Sequence, residues 1–185
     1  MNYIVGLLGY SKVGKDEAGK AFLAEGFKRY AFGDEVKNEL AAELGIPVEY
    51  LHDQKYKEKY RDQMVEYGEG KRKDNPNYWI DRLRGKIYAD IEAGTNVVIT
   101  DIRRVTEIEF ISDLKNLIGK DYGKVLLIHI DRPHAELDND TASNYAMNYA
   151  KRYNKIDFTI ENKYDADILN AIVKYEIKHK IYGNT

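Results

Sequence analysis

A glycine-rich segment near the amino terminus constrains the fold more than any other part of the sequence. Residues 9–16 read Gly-Tyr-Ser-Lys-Val-Gly-Lys-Asp, so that a lysine follows two glycines spaced five residues apart. An apolar run at residues 1–8 precedes the segment, and from Lys15 to Gly26 the apolar residues fall at helical spacing. The order strand, glycine loop, helix favours a phosphate-binding loop, because glycines let backbone N–H groups converge on an anion at a helix N-terminus. The alternative is an ordinary glycine turn with surface lysines.

The loop supplies the candidate residues for binding a nucleotide. They are Gly9, Ser11, Lys12, Val13, Gly14, Lys15 and Asp16. We expect Lys15 to neutralise the β and γ phosphates and to take part in catalysis. Asp16 stands where Ser or Thr usually ligates Mg²⁺, and a carboxylate beside phosphates needs a cation or Lys15 to offset its charge. Asp16 is therefore a predicted Mg²⁺ ligand.

Strand and helix patterns alternate along the rest of the chain. Strands are predicted at 28–31, 96–100, 124–130 and 156–160, and helices at 34–45 with Asp34 as N-cap, 77–93, 105–117 and 166–179. This alternation predicts an α/β fold with a parallel sheet covered on both faces, whose ligands gather at the carboxyl ends of the strands. Residues 46–76 are predicted to be helical and highly charged, and residues 133–154 a mobile excursion or a helical hairpin. We expect one domain over residues 1–185, because no long linker divides the sequence.

Composition excludes several classes of protein. The 185 residues carry a formal charge of −2, 43% of them are hydrophobic, and there is no cysteine. These values fit a globular domain and exclude disulfides, thiolate zinc sites and a cysteine nucleophile. The near-neutral charge argues against nucleic acid as a partner, and no apolar run reaches the roughly 20 residues that span a bilayer. Because no signal-peptide pattern is present, we expect a cytoplasmic protein without a membrane partner.

Charged residues beyond the loop supply further candidates for catalysis and phosphate binding. Asp101 follows a buried-strand pattern, so it can manage Mg²⁺ and its water shell, or it can cap the next helix. Arg103 can grip a phosphate, since a guanidinium binds two phosphate oxygens at once. The same chemistry makes candidates of Arg61, Arg72 and Arg132, with Arg104 and Arg152 as weaker competitors.

Aromatic residues and histidines have more ordinary interpretations. Tyr145, Tyr149 and Tyr153 fall at helical spacing, and we interpret them as a packing face rather than a platform for stacking nucleic-acid bases. The four histidines show no spacing typical of metal ligands, so we interpret them as structural or surface residues.

These motifs together resemble the phage deoxynucleoside monophosphate kinases, a family of P-loop nucleoside monophosphate kinases. The similarity extends over the Gly-Lys-Asp loop, residues 32–40, Arg61 with Gly68, Tyr78-Trp79, residues 100–103 with Glu107, Arg132-Pro133 and residues 160–162. The loop is also similar to that of the phosphomevalonate kinases. A kinase for phosphomevalonate or another small phosphorylated acceptor, and a non-kinase ATP-binding switch or ATPase, are therefore the alternatives.

The resemblance implies a fold, a reaction and a set of roles. The fold is a three-layer sandwich with a five-stranded sheet in the order 2-3-1-4-5, an acceptor-binding region at 34–78 and a lid at 132–153. The reaction is phosphorylation of a (deoxy)nucleoside monophosphate by ATP with Mg²⁺, in the host cytoplasm if the gene is phage-encoded, and a homodimer is left open. The roles are catalysis for Lys15, Asp101, Arg103 and Arg132, metal binding for Asp16 and Asp101, nucleotide binding for Asn162, and substrate binding for Asp34, Lys37, Arg61, Arg72, Trp79 and Arg103.

Overall fold

A computed structural model describes residues 2–133, 140–163 and 165–183. In chain order, the described elements are β1 (Asn2–Leu8), α1 (Lys15–Ala24), β2 (Lys28–Tyr30), α2 (Phe32–Leu44), α3 (Glu49–His52), α4 (Gln54–Lys57), α5 (Arg61–Asp74), α6 (Tyr78–Glu92), β3 (Val97–Ile102), α7 (Val105–Tyr122), β4 (Gly123–Asp131), α8 (Thr141–Arg152), β5 (Phe158–Glu161), α9 (Ala166–Glu176) and a π-helical turn (Ile177–Ile181). None of the described helices combines the length and the apolar character that crossing a bilayer requires.

The five described strands form a parallel sheet in the order β2-β3-β1-β4-β5. The predicted α/β fold and strand order are therefore confirmed. At the carboxyl edge of the sheet, Leu8 at the end of β1 pairs with Ile102 of β3 and with His129 of β4. The loop that follows Leu8 thus begins between the ends of two strands, where open parallel sheets bind their ligands.

Both faces of the sheet are covered by apolar side chains. On one face, α1 and α9 contribute to a core that includes Val5, Leu7, Ala18, Phe22, Val98, Leu126, Ile128, Ile130, Leu169 and Val173. On the other face, Gly6 makes room for Ile102 and for Ile111 of α7, since a Cβ at position 6 would collide with the Ile102 side chain and lie only 3.1 Å from that of Ile111. Burial on both faces explains why the strands appear in the sequence as continuous apolar runs.

The chain divides into two compact units, which we call unit 1 and unit 2. Unit 1 comprises Met1–Tyr30 and Ile87–Thr185, and unit 2 comprises Ala31–Lys86. Unit 1 contains the sheet. Unit 2 is helical, and its buried residues include a small core cluster of Leu40, Ala41 and Leu51. The predicted acceptor-binding region lies within unit 2, and the single domain over the whole chain stays a prediction.

Some element boundaries differ from the predicted ones. Ala31, rather than Asp34, is the N-cap residue of α2, so the predicted capping role of Asp34 is wrong. The N–H of Asp34 donates to the carbonyl of Ala31 at 3.1 Å, which places Asp34 in the first helical turn. Helix α7 extends to Tyr122, five residues beyond its predicted end at Leu117. Residues 134–139 of the predicted lid lie outside the described residues.

Candidate functional site

The glycine loop contains two residues with a left-handed backbone conformation. Lys12 has a φ of 61° and Gly14 a φ of 101°, so two left-handed residues flank Val13. Gly14 is also the N-cap residue of α1, and its carbonyl accepts from the N–H of Ala18 at 2.8 Å. Successive N–H groups in such a turn, placed at a helix start, form a concave anion-binding nest.

The start of the loop is closely packed against the main chain of β4. A Cβ at Gly9 would lie 2.7 Å from the carbonyl oxygen of Ile130 and 2.9 Å from Cγ2 of Val13. Real Cβ atoms do not come this close to a carbonyl, so position 9 excludes every side chain. Glycine therefore lets the loop turn immediately at the end of β1.

Lys15, the first residue of α1, is buried beside the loop and is 5% exposed. Its Nζ donates to the carbonyl of Gly9 at 2.7 Å and also to the carbonyl of Tyr10. These two carbonyls offset part of the desolvation cost of burying an ammonium group. The loop thus holds a cation next to its own N–H nest, and the contact of Lys15 with phosphates stays a prediction.

Asn162 also contacts the loop. It directly follows β5, is 6% exposed, and its Nδ2 donates to the carbonyl of Val13 at 2.9 Å. The predicted contact of Asn162 with a nucleotide stays a prediction, whereas its contact with the loop is observed.

Asp101 lies within β3, one residue before the strand ends at Ile102. The register of Ile102 with Leu8 places Asp101 at the carboxyl edge of the sheet, near the point where the loop begins. A carboxylate at this position has the location that P-loop enzymes use to manage Mg²⁺. The metal role of Asp101 nevertheless stays a prediction.

The alternative role of Asp101, capping the next helix, is wrong. Arg104 is the N-cap residue of α7, and Glu107 in the first turn completes the cap. The Oε2 atom of Glu107 accepts from the N–H of Arg103 at 2.7 Å and from the N–H of Arg104 at 3.0 Å. Because Glu107 satisfies these N–H groups and is 3% exposed, the turn that presents Arg103 is held by a buried carboxylate.

Helix α1 packs directly against the end of β3. A Cβ at Gly19 would lie 2.8 Å from Cγ2 of Thr100, which is completely buried. Gly19 lies one helical turn after Lys15, and Thr100 precedes Asp101 in the chain. This contact joins the helix that carries Lys15 to the strand that carries Asp101.

The candidate arginines have different surroundings. Arg103 is partly buried in unit 1, Arg132 is exposed just after β4, and Arg61 is exposed at the start of α5 in unit 2. The competitor Arg104 forms an ion pair with Asp140, N···O 3.5 Å. Each predicted phosphate contact of these side chains stays a prediction.

Several charged side chains of unit 2 lie within contact distance of one another. Nζ of Lys37 lies 3.1 Å from Oδ1 of Asp34 and 3.3 Å from Nδ1 of His52. Arg72 of α5 forms an ion pair with Glu69 at 2.9 Å. The structure thus gives Lys37 and Arg72 carboxylate partners within their own unit, and their contact with a substrate stays a prediction.

Trp79 is a core residue of unit 2. Its side chain is 1% exposed, and the indole N–H donates to the carbonyl of Gly68 at 3.1 Å. The structure therefore shows a packing role that joins α6 to α5. A direct contact of Trp79 with substrate stays a prediction.

Comparison with known families decides what kind of protein carries this loop. A family model described as phosphomevalonate kinase matches residues 12–117, which is more than half of the chain. The chain belongs to the phosphomevalonate kinase family. The matched range includes Lys15, all of unit 2, Asp101 and Arg103. No curated protein matches the sequence.

Solved structures agree with this family at the level of the fold. Dephospho-CoA kinase from Campylobacter jejuni is similar over the whole of both chains, with a TM-score of 0.53 and 16% sequence identity. Shikimate kinase from Acinetobacter baumannii, solved in complex with shikimate, is similar over 100% of this chain and 96% of its own, with a TM-score of 0.51 and 11% identity. The predicted P-loop kinase fold is confirmed, and the narrower phage deoxynucleoside monophosphate kinase resemblance stays a prediction. The family match shows that the chain is a kinase-type phosphotransferase of a small substrate.

The described residues of this chain present no complete protein cage for a metal. Among the described residues, no group of three or more His, Asp or Glu side chains is arranged to hold a metal ion. Asp16 is exposed in the first turn of α1. Mg²⁺ in kinases is commonly held by one or two carboxylates together with substrate phosphates and water, so this donor set fits the ion.

His129 is buried close to the loop, whereas the sequence predicted only that it is a structural or surface residue. It is 6% exposed at the end of β4, and its Nδ1 lies 3.5 Å from Oγ1 of Thr159. Burial lowers the pKa of His129, Asp131 opposes that shift, and Lys151 and Lys15 add to it. Its position beside the loop follows from the pairing of β4 with β1, which no local pattern reveals.

The tyrosines in and just after α8 lie outside the buried side of this helix. That side consists of Ser143, Ala146, Met147 and Ala150. Tyr145 is 66% exposed, so the predicted packing role is wrong for it, whereas Tyr153 packs its ring against Tyr149 with centroids 4.7 Å apart. Tyr149 instead donates its O–H to Glu109 of α7 at 2.8 Å. The small residues between the tyrosines let the other side of the helix approach its neighbours.

Proposed function

We propose that this protein transfers the γ-phosphoryl group of ATP to a small acceptor that already carries a phosphate. The observation that carries the proposal is the loop: left-handed residues at Lys12 and Gly14, a helix start, and the buried ammonium of Lys15 within one short segment. Backbone N–H groups and a lysine in this arrangement match the charge and shape of a triphosphate.

Residues of unit 1 account for the donor half of the reaction. The loop N–H groups and the N-terminus of α1 bind the phosphates, and Lys15 neutralises charge on the transferring group. Asp16 and Asp101 would hold Mg²⁺ or its water ligands. When bound, the ion supplies further neutralisation of the phosphate oxygens.

The transfer itself needs little chemistry from side chains. An oxygen of the acceptor phosphate forms a bond to the γ-phosphorus, and the bond from that phosphorus to the bridging oxygen of ADP breaks. The acceptor oxygen is already ionised, so no general base is required. Arg103 and Arg132 are suited to neutralising the charge on the equatorial oxygens, because a guanidinium stays ionised throughout.

A (deoxy)nucleoside monophosphate is the acceptor that we favour. Unit 2 offers cationic side chains for its phosphate, namely Lys37, Arg61 and Arg72, with Asp34 orienting Lys37. The same unit carries an aromatic surface, since Tyr50 is 42% exposed and stacks on Tyr56 with ring centroids 4.9 Å apart. Flat aromatic rings of this kind favour a ligand that contains a nucleobase.

Phosphomevalonate is the second candidate acceptor, and the family match favours it. It shares the reacting group of a nucleotide acceptor, a phosphate monoester, and its product is likewise a diphosphate. The two acceptors differ in what surrounds that phosphate, because a nucleotide presents an aromatic base whereas mevalonate presents a carboxylate. Unit 2 therefore determines which of the two is accepted, if the acceptor binds there.

A coupled ADP-release assay with Mg-ATP tests the proposal. The acceptors are the common ribo- and deoxynucleoside monophosphates, phosphomevalonate and buffer alone. We expect ADP release to depend on one acceptor class. ADP release that is equally fast in buffer alone contradicts the kinase and supports an ATPase or ATP-dependent switch. In the same assay, Asp16→Ala and Asp101→Asn should raise the Mg²⁺ concentration that gives half-maximal rate.

A further inference from the structure

Asn162 joins the ends of two strands to the phosphate loop within unit 1. Its N–H donates to the carbonyl of Asp131 at the end of β4, with an N···O distance of 2.6 Å. Its side chain then reaches Val13, 149 residues away in sequence. A Cβ at Gly14 would lie 2.6 Å from Nδ2 of Asn162, so glycine at this position is what allows the amide to approach the loop.

The chemistry of the contact fixes which end of the amide faces the loop. The carbonyl of Val13 can only accept a hydrogen bond, so Asn162 must present its NH₂ group to it. The opposite end, Oδ1, is buried and has no hydrogen-bond partner among the described residues. A buried acceptor without a partner destabilises the fold, which offsets much of what the bond to Val13 contributes to stability.

The hydrogen bond to Val13 also sets the direction of a neighbouring donor. The carbonyl of Val13 and the N–H of Gly14 belong to the same peptide unit, and the described chain contains no cis peptide bond. In a planar trans peptide, the C=O and N–H bonds point in opposite directions. When Asn162 holds the carbonyl of Val13, the N–H of Gly14 is turned to the other side of the loop, away from Asn162.

We propose that Asn162 is a positioning residue that orients the Gly14 N–H toward the nucleotide phosphates without touching them. This role rests on the proposed function, because it requires ATP as the ligand of the loop. A donor that is already oriented binds an anion more tightly than one that must first reorient. Loss of the contact therefore weakens the binding of the polyphosphate and leaves the affinity for the acceptor unchanged.

Calorimetric titration of the full chain with ATP and, separately, with inorganic tripolyphosphate tests this role. Asn162→Ala removes the amide, and Asn162→Asp keeps its shape but replaces the donor by a carboxylate that repels the Val13 carbonyl. Asn2→Ala is the matched control, because Asn2 also donates its Nδ2 to a backbone carbonyl of unit 1, that of Ile91. Circular dichroism checks that each variant is folded, and Asn162→Asp preserves the test if the alanine variant is not.

We expect both Asn162 variants to bind ATP and tripolyphosphate about tenfold more weakly, with an unchanged KM for the acceptor. The Asn2→Ala variant should bind as tightly as the wild type. Wild-type affinity in the Asn162 variants, or an equal loss in Asn2→Ala, overturns the positioning role and leaves the kinase proposal intact. A wild-type protein that binds neither ligand overturns the proposed function and, with it, the role of Asn162.

Discussion

Units 1 and 2 hold their candidate functional groups in different ways. In unit 1, Lys15 and Asn162 are buried and donate to backbone carbonyls of the loop. In unit 2, Lys37 and Arg72 form ion pairs with carboxylates on their own helices, and these pairs are partly exposed. One unit fixes its cation against the main chain, whereas the other balances its cations with neighbouring side chains.

This difference indicates what kind of ligand group each unit is suited to bind. A hydrogen bond to main chain in a buried place has one geometry, so unit 1 suits a ligand group that does not vary, such as a triphosphate. Surface ion pairs contribute little energy and exchange partners easily, so unit 2 suits the recognition of a variable acceptor. The two units should therefore respond differently to substitution.

The largest effect is expected for Lys15→Ala in unit 1. Under the proposed function this buried donor neutralises the transferring phosphoryl group, so its removal should lower kcat by about 10²- to 10³-fold while the protein stays folded. Steady-state kinetics and a thermal melt measure the two quantities. The matched control is Lys20→Ala, because Lys20 lies on the same helix but is exposed and pairs with Glu17 at 2.7 Å. Turnover near the wild-type value in Lys15→Ala would remove the catalytic role of unit 1.

In unit 2, the largest effect should be on stability. Trp79→Phe removes the buried hydrogen bond from the indole N–H to the carbonyl of Gly68 and shrinks the buried side chain, which should lower the free energy of unfolding by about 1–3 kcal/mol. Urea unfolding followed by far-UV circular dichroism measures it, since Trp79 is the single tryptophan and its fluorescence is lost. The neighbouring variant Tyr78→Phe removes a less buried bond to Glu39 and should cost less. Equal losses in both variants would contradict the core role of Trp79.

A third comparison uses pH. Burial lowers the pKa of His129 in the folded protein, so the unfolded chain takes up its proton first as the pH falls. The free energy of unfolding is therefore unaffected by this histidine above its ordinary pKa of about 6.5. Below that pH, the free energy of unfolding decreases by up to about 1.4 kcal/mol per pH unit. His129→Gln should therefore lose less stability than the wild type between pH 7 and pH 5. The exposed His179→Gln serves as control, and an unchanged pH profile in His129→Gln would count against this account.

The smallest effect on stability is expected for Arg72→Gln in unit 2. A partly exposed ion pair with Glu69 contributes less than about 1 kcal/mol, so the melting temperature should hardly change. The KM for the acceptor should rise while the KM for ATP stays constant, if Arg72 binds the acceptor phosphate. Arg82→Gln breaks an ion pair with Glu39 in the same unit and provides the control. A change in the KM for ATP alone would place Arg72 with the donor.

Sequence patterns predicted the parts of the site that depend on neighbouring residues. The loop, the start of α1 at Lys15 and the alternation of strands and helices are local, and the structure has them. The first turn of α2 was mistaken, because Asp34 resembles an N-cap but its side chain pairs with Lys37 inside the helix. A local pattern identifies residue types that are suited to capping, but it does not determine at which residue the helix begins.

Contacts between distant segments could not be predicted in the same way. Asn162 reaches Val13 only because β5 lies at one edge of the sheet next to β4, whose end adjoins the loop. His129 is buried beside the loop for the same reason, and Trp79 finds its acceptor in Gly68 through the packing of two helices. Each of these contacts depends on the tertiary arrangement of helices and strands. Hydrophobic periodicity in the sequence carries no information about that arrangement.

The close packing of Gly19 against Thr100 restricts the order in which substitutions at these two positions can be accepted. Alanine at position 19 would place its methyl group 2.8 Å from the threonine methyl, although alanine is otherwise the better helix former. A change of Thr100 to serine removes that methyl and opens the space. The two positions are thus coupled in an ordered way: serine at 100 makes alanine at 19 acceptable, whereas the reverse order passes through a strained intermediate. Homologous sequences with alanine at position 19 should therefore also have a residue smaller than threonine at position 100.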